Sequence, residues 1–326
     1  MLDSRHILNI RNIKMHFPIA GGLFGRPKGY VYAVDDVSFS LKMGQTLGLV
    51  GESGCGKSTL GRTILRLYEP TAGSIEFNGK DFLALSAAEL RRERRNLQLI
   101  FQDPFSSLNP RMTVEAILSE PYQIHGIGTS TEIKRNVREL LIEVGLPSEA
   151  AIRYPHEFSG GQRQRIGIAR AIALKPKLII ADEPVSALDV SIQSQILNLL
   201  ADLRDKMGLS FLFIAHDLAV IEHISDVVAV MYLGKIVELA EAEKIYLSPK
   251  HPYTKALISA IPVPEFGAKK ARQILKGDVP SPIAPPSGCY FHPRCPSSTE
   301  KCRVEAPMLR NVDNKKEPHL ASCHYA

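Results

Sequence analysis

Gly51-Glu52-Ser53-Gly54-Cys55-Gly56-Lys57-Ser58, followed by Thr59, has glycines and a lysine at the spacing of a loop that wraps a phosphate. Glycines let the backbone curl until successive N–H groups face one anion, and the N-terminus of a following helix adds positive potential. Gly51, Ser53, Gly54, Cys55, Gly56 and Thr59 are expected to line such a site, with Lys57 reaching the β- and γ-phosphates and the Ser58 hydroxyl binding Mg²⁺. This kind of loop needs an acidic partner at the end of another strand. The apolar run from Leu178 ends in Asp182-Glu183, where Asp182 would hold Mg²⁺ and Glu183 would polarise an attacking water. The two segments imply nucleoside-triphosphate hydrolysis without saying what it drives.

Phe158-Ser159-Gly160-Gly161-Gln162, 23 positions before Asp182 from Ser159, opens a helical stretch towards Leu174. The Ser159 hydroxyl and the Gly160 and Gly161 amides would sit at a helix N-terminus, where backbone donors lack intrahelical partners. Four of the five cysteines form a separate group, Cys289-x₅-Cys295-x₆-Cys302-x₂₀-Cys323. In a reducing compartment such clustering points to metal more than to disulfides. The C-x₂-C knuckles of structural zinc sites are absent, and the spacing departs from ferredoxin runs. Spacing alone therefore says that four thiolates could converge, with His292, His319 and His324 close enough in sequence to substitute.

The elements that must carry these residues read as α/β. Strands are expected at Thr46–Val50, Leu97–Phe101, Leu178–Ala181, Ser210–Ala215 and Val227–Met231, several of them continuous apolar runs of the kind covered on both faces. A helix should follow the phosphate loop to about Leu67. Between residues 103 and 175 the strand signal disappears. There Thr129 and Glu132 predict a capping box ahead of a helix face made by Ile133, Val137, Leu140, Leu141 and Val144, with Gly145 as its stop. Beyond Leu247 prolines recur every few residues, which predicts an irregular appendage that needs a staple.

At this point the chain resembles an ATP-binding-cassette (ABC) ATPase over nearly its whole length. SGGQ is the family signature, Gln102 matches its Q-loop glutamine, Ser186-Ala187-Leu188-Asp189 its D-loop and His216 its switch histidine. The resemblance implies a P-loop NTPase fold, a RecA-like core with a helical subdomain. It also implies head-to-tail dimers that sandwich ATP between the phosphate loop of one cassette and Ser159 to Gln162 and Asp189 of the other. Glu183 would be the general base, His216 would contact the γ-phosphate, and Gln102 would sense Mg²⁺. The family also stacks an aromatic on adenine; Phe17, Tyr30 and Tyr32 are the candidates here, Tyr30 preferred, with an insertion from Pro18 to Gly29 intervening.

Phe101-Gln102-Asp103-Pro104-Phe105-Ser106-Ser107-Leu108-Asn109-Pro110 and His251-Pro252-Tyr253-Thr254-Lys255-Ala256-Leu257 are similar to the extended Q-loop and tail of oligopeptide/dipeptide permease ATPases. That likeness implies a second-type ATPase subunit, on the cytoplasmic face of a bacterial inner membrane. Its implied partners are a sister ATPase, two transmembrane permease subunits and an extracytoplasmic substrate-binding protein. It divides the chain into a nucleotide-binding domain, 1–246, and a tail, 247–326. It adds that such a tail can carry a [4Fe–4S] cluster on Cys289, Cys295, Cys302 and Cys323; zinc or no metal are the alternatives.

Composition fits this reading. The 326 residues are 44% hydrophobic and 23% charged, ordinary for a globular chain, and no apolar run approaches the ~18 residues of a membrane span. Residues 1–14 hold no continuous apolar stretch, so a secretory signal is not expected. The net charge of +6 arises wholly after position 245, where 12 Lys and Arg face 6 Asp and Glu. A basic tail can bind nucleic acid or an anionic membrane surface, and a solvated basic segment is the plainer reading. Cassette ATPases that act on nucleic acid or ribosomes usually add a second cassette, coiled coils or zinc insertions, none of which is recognisable here, so no nucleic-acid partner is expected.

Overall fold

A computed structural model describes residues 6–21, 27–103, 105, 107–261, 273, 275–313 and 317–326. Pro104 and Ser106 of the extended Q-loop, and parts of the Pro18–Gly29 insertion and of the proline-rich tail, lie outside the described residues. The chain forms two compact units. One is built mainly from Ala84–Ile214, the other from Leu8–Leu41, Thr46–Leu83 and Ala215–Ala326.

In the first unit, strands Leu97–Ile100, Leu178–Asp182 and Ser210–Ala215 pair in parallel, with Leu97 opposite Leu178 and Leu178 opposite Ser210. Every residue of the last two strands is buried, the outcome expected of apolar runs covered on both faces. The expected helical insertion is present as Val114–His125, Ser130–Glu143 and Gly160–Ile172, followed after the strand Leu178–Asp182 by Val190–Met207. Thr129 and Glu132 form the anticipated reciprocal cap: Glu132 Oε2 accepts from the Thr129 N–H at 2.7 Å, and Thr129 Oγ1 accepts from the Glu132 N–H at 3.4 Å. Ile133, Val137 and Leu141 face inward from that helix, and Gly145, at φ 75°, ends it.

In the second unit, Thr46–Val50 pairs in parallel with Val227–Tyr232, which pairs antiparallel with Lys235–Glu241. Helix Lys57–Ile64 follows the phosphate loop, a turn shorter than the sequence predicts. An antiparallel sheet in the order Gly29–Lys42, His6–Ile19, Ala72–Phe77, Lys80–Asp81 completes the unit and lies outside the sequence-based expectation. Its alternation is interrupted: Leu8 and Ile10 are buried before Asn12, Ile13 and Met15 after it. Asn12 takes φ 49° at a register shift, which moves the buried face by one residue. Asn12 Nδ2 also donates to Asp36 Oδ1 at 2.8 Å, tying this bulge to a second left-handed residue at φ 64° in the neighbouring strand.

The tail is more regular at its end than its composition predicts. Leu320–Ala321 pairs with Leu239 and Glu238 and extends the second unit's sheet, and Arg310–Asn311 pairs with it in turn. Arg310–Asn311 forms the edge, where a proline-rich segment can still pair. Among the described residues no helix is long and apolar enough to cross a membrane.

Candidate functional site

The phosphate loop runs from strand Thr46–Val50, all buried, into helix Lys57–Ile64. A side chain at Gly51 would run into the Met231 carbonyl, and one at Gly56, which has φ 104°, into that of Ala33. Glycine is thus required for close backbone approach at both positions. The helix opens at Gly56 without a side-chain cap and with no acid in its first turn, the arrangement that leaves an N-terminus receptive to an anion. Lys57 is 4% exposed, and its Nζ donates to the Gly51 and Glu52 carbonyls at 2.7 and 3.1 Å. Its charge is therefore already stationed over the loop. Cys55 is buried behind it, and that burial raises the thiol above its ordinary range. Ser58 and Thr59 occupy the first helical turn.

Of the three aromatic candidates, Tyr30 is 43% exposed. Tyr32 packs edge-on against His16 at 4.6 Å, and Phe17 against Tyr68 at 5.3 Å. His216 is exposed, one position beyond strand Ser210–Ala215.

In the first unit, Asp182 closes strand Leu178–Asp182 and is 4% exposed. Glu183 follows in a left-handed conformation, φ 46°, secured by its N–H donating to the Ile214 carbonyl at 3.0 Å and its carbonyl accepting from Ser186. Such strain persists only where the surroundings over-determine it, and it re-aims the side chain off the strand axis. Gln102 Nε2 donates to Glu183 Oε2 at 2.8 Å, so the structure brings together the Q-loop glutamine and the expected base. The sequence pointed to each separately and not to this bond.

Ser159 caps helix Gly160–Ile172: its Oγ accepts from the Gln162 N–H at 3.3 Å, and Gln162 Oε1 accepts from the Ser159 N–H at 3.0 Å. Ser159 and Gln162 are exposed, and a side chain at Gly161 would meet Ile192 Cγ2 at 2.6 Å. Asp189 begins helix Val190–Met207 at the surface without capping it through its side chain. Ser159, Gln162 and Asp189 thus leave polar groups exposed at the surface.

In the tail, Cys289, Cys295, Cys302 and Cys323 line one cavity of about 100 Å³ together with Phe291 and His292. The Cys289 N–H donates to the Cys302 carbonyl at 2.8 Å, drawing two of them together. Burial, with the neighbouring thiols adding, pushes Cys289 up to about 11, and burial also raises Cys295. The donor set fits a thiolate-bound metal in kind. Among the described residues, however, no three His, Cys, Asp or Glu side chains are arranged as the ligands of one ion.

The tail is also anchored within the second unit. The Tyr290 hydroxyl donates to Asp35 Oδ2 at 3.2 Å; burial works to raise that carboxyl, but Lys235 at 2.9 Å, Tyr290 and Lys14 together hold it low. Glu238, fully buried, accepts from His319 Nε2 at 2.6 Å and from the Lys250 and His251 N–H groups at 2.7 and 2.8 Å. His251 caps helix Pro252–Ser259 through Nδ1, which accepts from the Tyr253 N–H at 3.1 Å and therefore carries no proton. His319, a candidate substitute for the thiol ligands on sequence grounds, is instead turned to Glu238, a pairing across 81 positions that no spacing rule links.

Burial lowers His251 to about 4 from 6.5. Below pH 6.5 the unfolded chain takes up a proton that the folded chain refuses, so stability falls as pH drops from 6.5 towards 4. The expected loss between pH 6.5 and pH 5 is about 2 kcal/mol. Chemical denaturation at both pH values checks it: His251→Asn, whose Oδ1 can replace the Nδ1 acceptor, should lose distinctly less. Equal slopes in parent and variant would contradict the assignment.

A family model described as ABC transporter matches residues 34–186, and one described as oligopeptide/dipeptide transporter, C-terminal region, matches residues 237–302. The chain is 55% identical over 325 residues to the oligopeptide transport ATP-binding protein AppF of Bacillus subtilis, covering 99% of this chain and 98% of that one. It is 53% identical over 317 residues to a putative peptide import ATP-binding protein of Brucella ovis, covering 97% of each. Among solved structures, the dimeric post-hydrolysis state of the ATP-binding cassette MJ0796 bound to ADP and phosphate superposes with a TM-score of 0.64 at 27% identity, covering 72% of this chain and 98% of that one.

Proposed function

Because the chain belongs to the ABC transporter family, we propose that it is the ATP-hydrolysing subunit of a bacterial importer of di- or oligopeptides. The observation that carries the reading is the match of almost the whole chain, tail region included, to peptide-transport ATP-binding proteins. An action on nucleic acid or ribosomes has no such support.

The site residues take the following roles. Gly51, Ser53, Gly54, Cys55, Gly56 and Thr59 offer backbone or hydroxyl donors to the phosphates, and Lys57 turns its ammonium from the loop carbonyls to the β- and γ-phosphates. Tyr30, the most exposed of the aromatic candidates, stacks on adenine. Ser58, Asp182 and Gln102 supply the hard oxygen donors that suit Mg²⁺, which when bound would neutralise phosphate charge. Glu183 takes the proton of the attacking water while Gln102 holds its carboxylate, and His216 steadies the γ-phosphate. Ser159, Gly160, Gly161, Gln162 and Asp189 serve the ATP bound by a partner cassette. Catalysis here is positioning and charge stabilisation, and it requires a dimer.

A subunit of this kind works with membrane permease partners. We further assign a sister ATPase, two permease subunits and an extracytoplasmic binding protein, placing the chain peripherally on the cytoplasmic face of the inner membrane. Residues 1–246 form the nucleotide-binding part and 247–326 the tail. The four tail cysteines are assigned to a [4Fe–4S] cluster, with zinc or no metal as the alternatives; a bound metal would staple the tail. Iron, acid-labile sulfide and zinc, assayed on protein purified without oxygen, decide among them: iron with sulfide in near-equal amounts is expected, and absence of both metals overturns the assignment.

The function itself is tested by affinity purification of the chain from native membranes. Two permease subunits and a second cassette ATPase should accompany it. Recovery with ribosomes or DNA and without permeases would overturn the reading.

A further inference from the structure

Glu52 lies inside the phosphate loop, where a carboxylate works against the binding of a polyanion and competes for Lys57. All its polar groups are engaged. Arg294 Nη1 donates to Oε2 at 2.7 Å and Nη2 to Oε1 at 3.1 Å, a two-pronged pair whose guanidinium side chain is 8% exposed. The Glu52 N–H donates to the Tyr253 hydroxyl at 2.9 Å, and its carbonyl accepts from Lys57 Nζ at 3.1 Å. Two of these anchors come from the region after position 246. They are braced by rings: Tyr232 lies 4.8 Å from Tyr253 and 5.2 Å from Phe291, and Arg294 lies 5.9 Å from the Tyr232 ring. The next residue after Arg294 is Cys295, which lines the thiol cavity.

We propose that Arg294 is a positioning residue for nucleotide binding: it neutralises Glu52 and keeps that carboxylate on the tail side of the phosphate loop. The amides of the loop and Lys57 then meet the phosphates without a competing anion. Planar, bidentate and always charged, arginine suits this task as lysine does not. Without it, the freed carboxylate can turn to Lys57, whose Nζ already touches the carbonyl of the same residue. The proposal rests on the ATP-binding reading above, and it makes the tail a determinant of affinity for ATP.

The test is calorimetric titration of the full chain with Mg·ADP and with a non-hydrolysable ATP analogue. Arg294→Met should weaken binding on the order of tenfold, a usual size for coupling between linked groups. Arg294→Met combined with Glu52→Gln should return to within about threefold of the parent, because the two residues act on one interaction. Arg294→Lys should fall between, and raising the salt should shrink the Arg294→Met defect. If Arg294→Met does not fold, Arg294→Lys with and without Glu52→Gln carries the same comparison. Binding unchanged by loss of Arg294, or a defect that Glu52→Gln does not relieve, would overturn the proposal. A parent that binds neither nucleotide would instead overturn the ATP-binding reading.

Discussion

Glu183→Gln, made in the assembled transporter, should lower ATP turnover by at least about a hundredfold while leaving ATP bound, because a positioned base is worth about 10²–10⁴ in rate. Glutamine keeps the length of the side chain and can still accept the Gln102 hydrogen bond, now at 2.8 Å, through its carbonyl oxygen. The left-handed backbone at residue 183, secured by Ile214 and Ser186, does not depend on the carboxylate. What the substitution removes is the capacity to take a proton from water. Cassettes should then accumulate as ATP-bound closed dimers, visible as labelled ATP that survives rapid gel filtration. Undiminished turnover would remove Glu183 from its role.

Glu238→Ala should destabilise the second unit by about 3–5 kcal/mol, the usual cost of taking one member out of a buried charged or hydrogen-bonded set. The residue stands opposite Ala321 in the sheet and accepts from His319 and two backbone N–H groups, so its loss leaves two buried donors and one half-buried donor without this acceptor. It fastens the terminal strand and the segment leading to Tyr253 at once. Burial works to raise this carboxyl, but those hydrogen bonds hold it below its ordinary 4.5. Its stabilising contribution is therefore present above about pH 4.5 and is lost as pH falls through the lowered folded value. Urea unfolding at pH 7 measures the effect. A change under about 1 kcal/mol would mean that the tail is held elsewhere.

The parallel strands were legible because their position requires continuous apolar runs, and the nucleotide motifs were legible because phosphate chemistry dictates both residue type and spacing. The antiparallel sheet was hidden by the bulge at Asn12, which reverses the phase of alternation midway along His6–Ile19. One signal for it was present: Asn78-Gly79, at φ 52° and 76°, turns Ala72–Phe77 back into Lys80–Asp81, and such a pair is a strong hairpin marker. The attachment of the tail could not be read. Arg294 and Glu52 lie 242 positions apart, and each has an ordinary surface residue's composition until the fold joins them. The final strand, Leu320–Ala321, was masked in the same way by the prolines around it.

The central claim, that hydrolysis by this chain drives peptide import, is tested most directly in proteoliposomes holding the complex that co-purifies with it. ATP hydrolysis and accumulation of a labelled short peptide are recorded together, with the binding protein supplied. The account predicts that peptide stimulates hydrolysis, that peptide accumulates only with ATP, and that Glu183→Gln abolishes both. ATP turnover indifferent to peptide, with no accumulation, would contradict it.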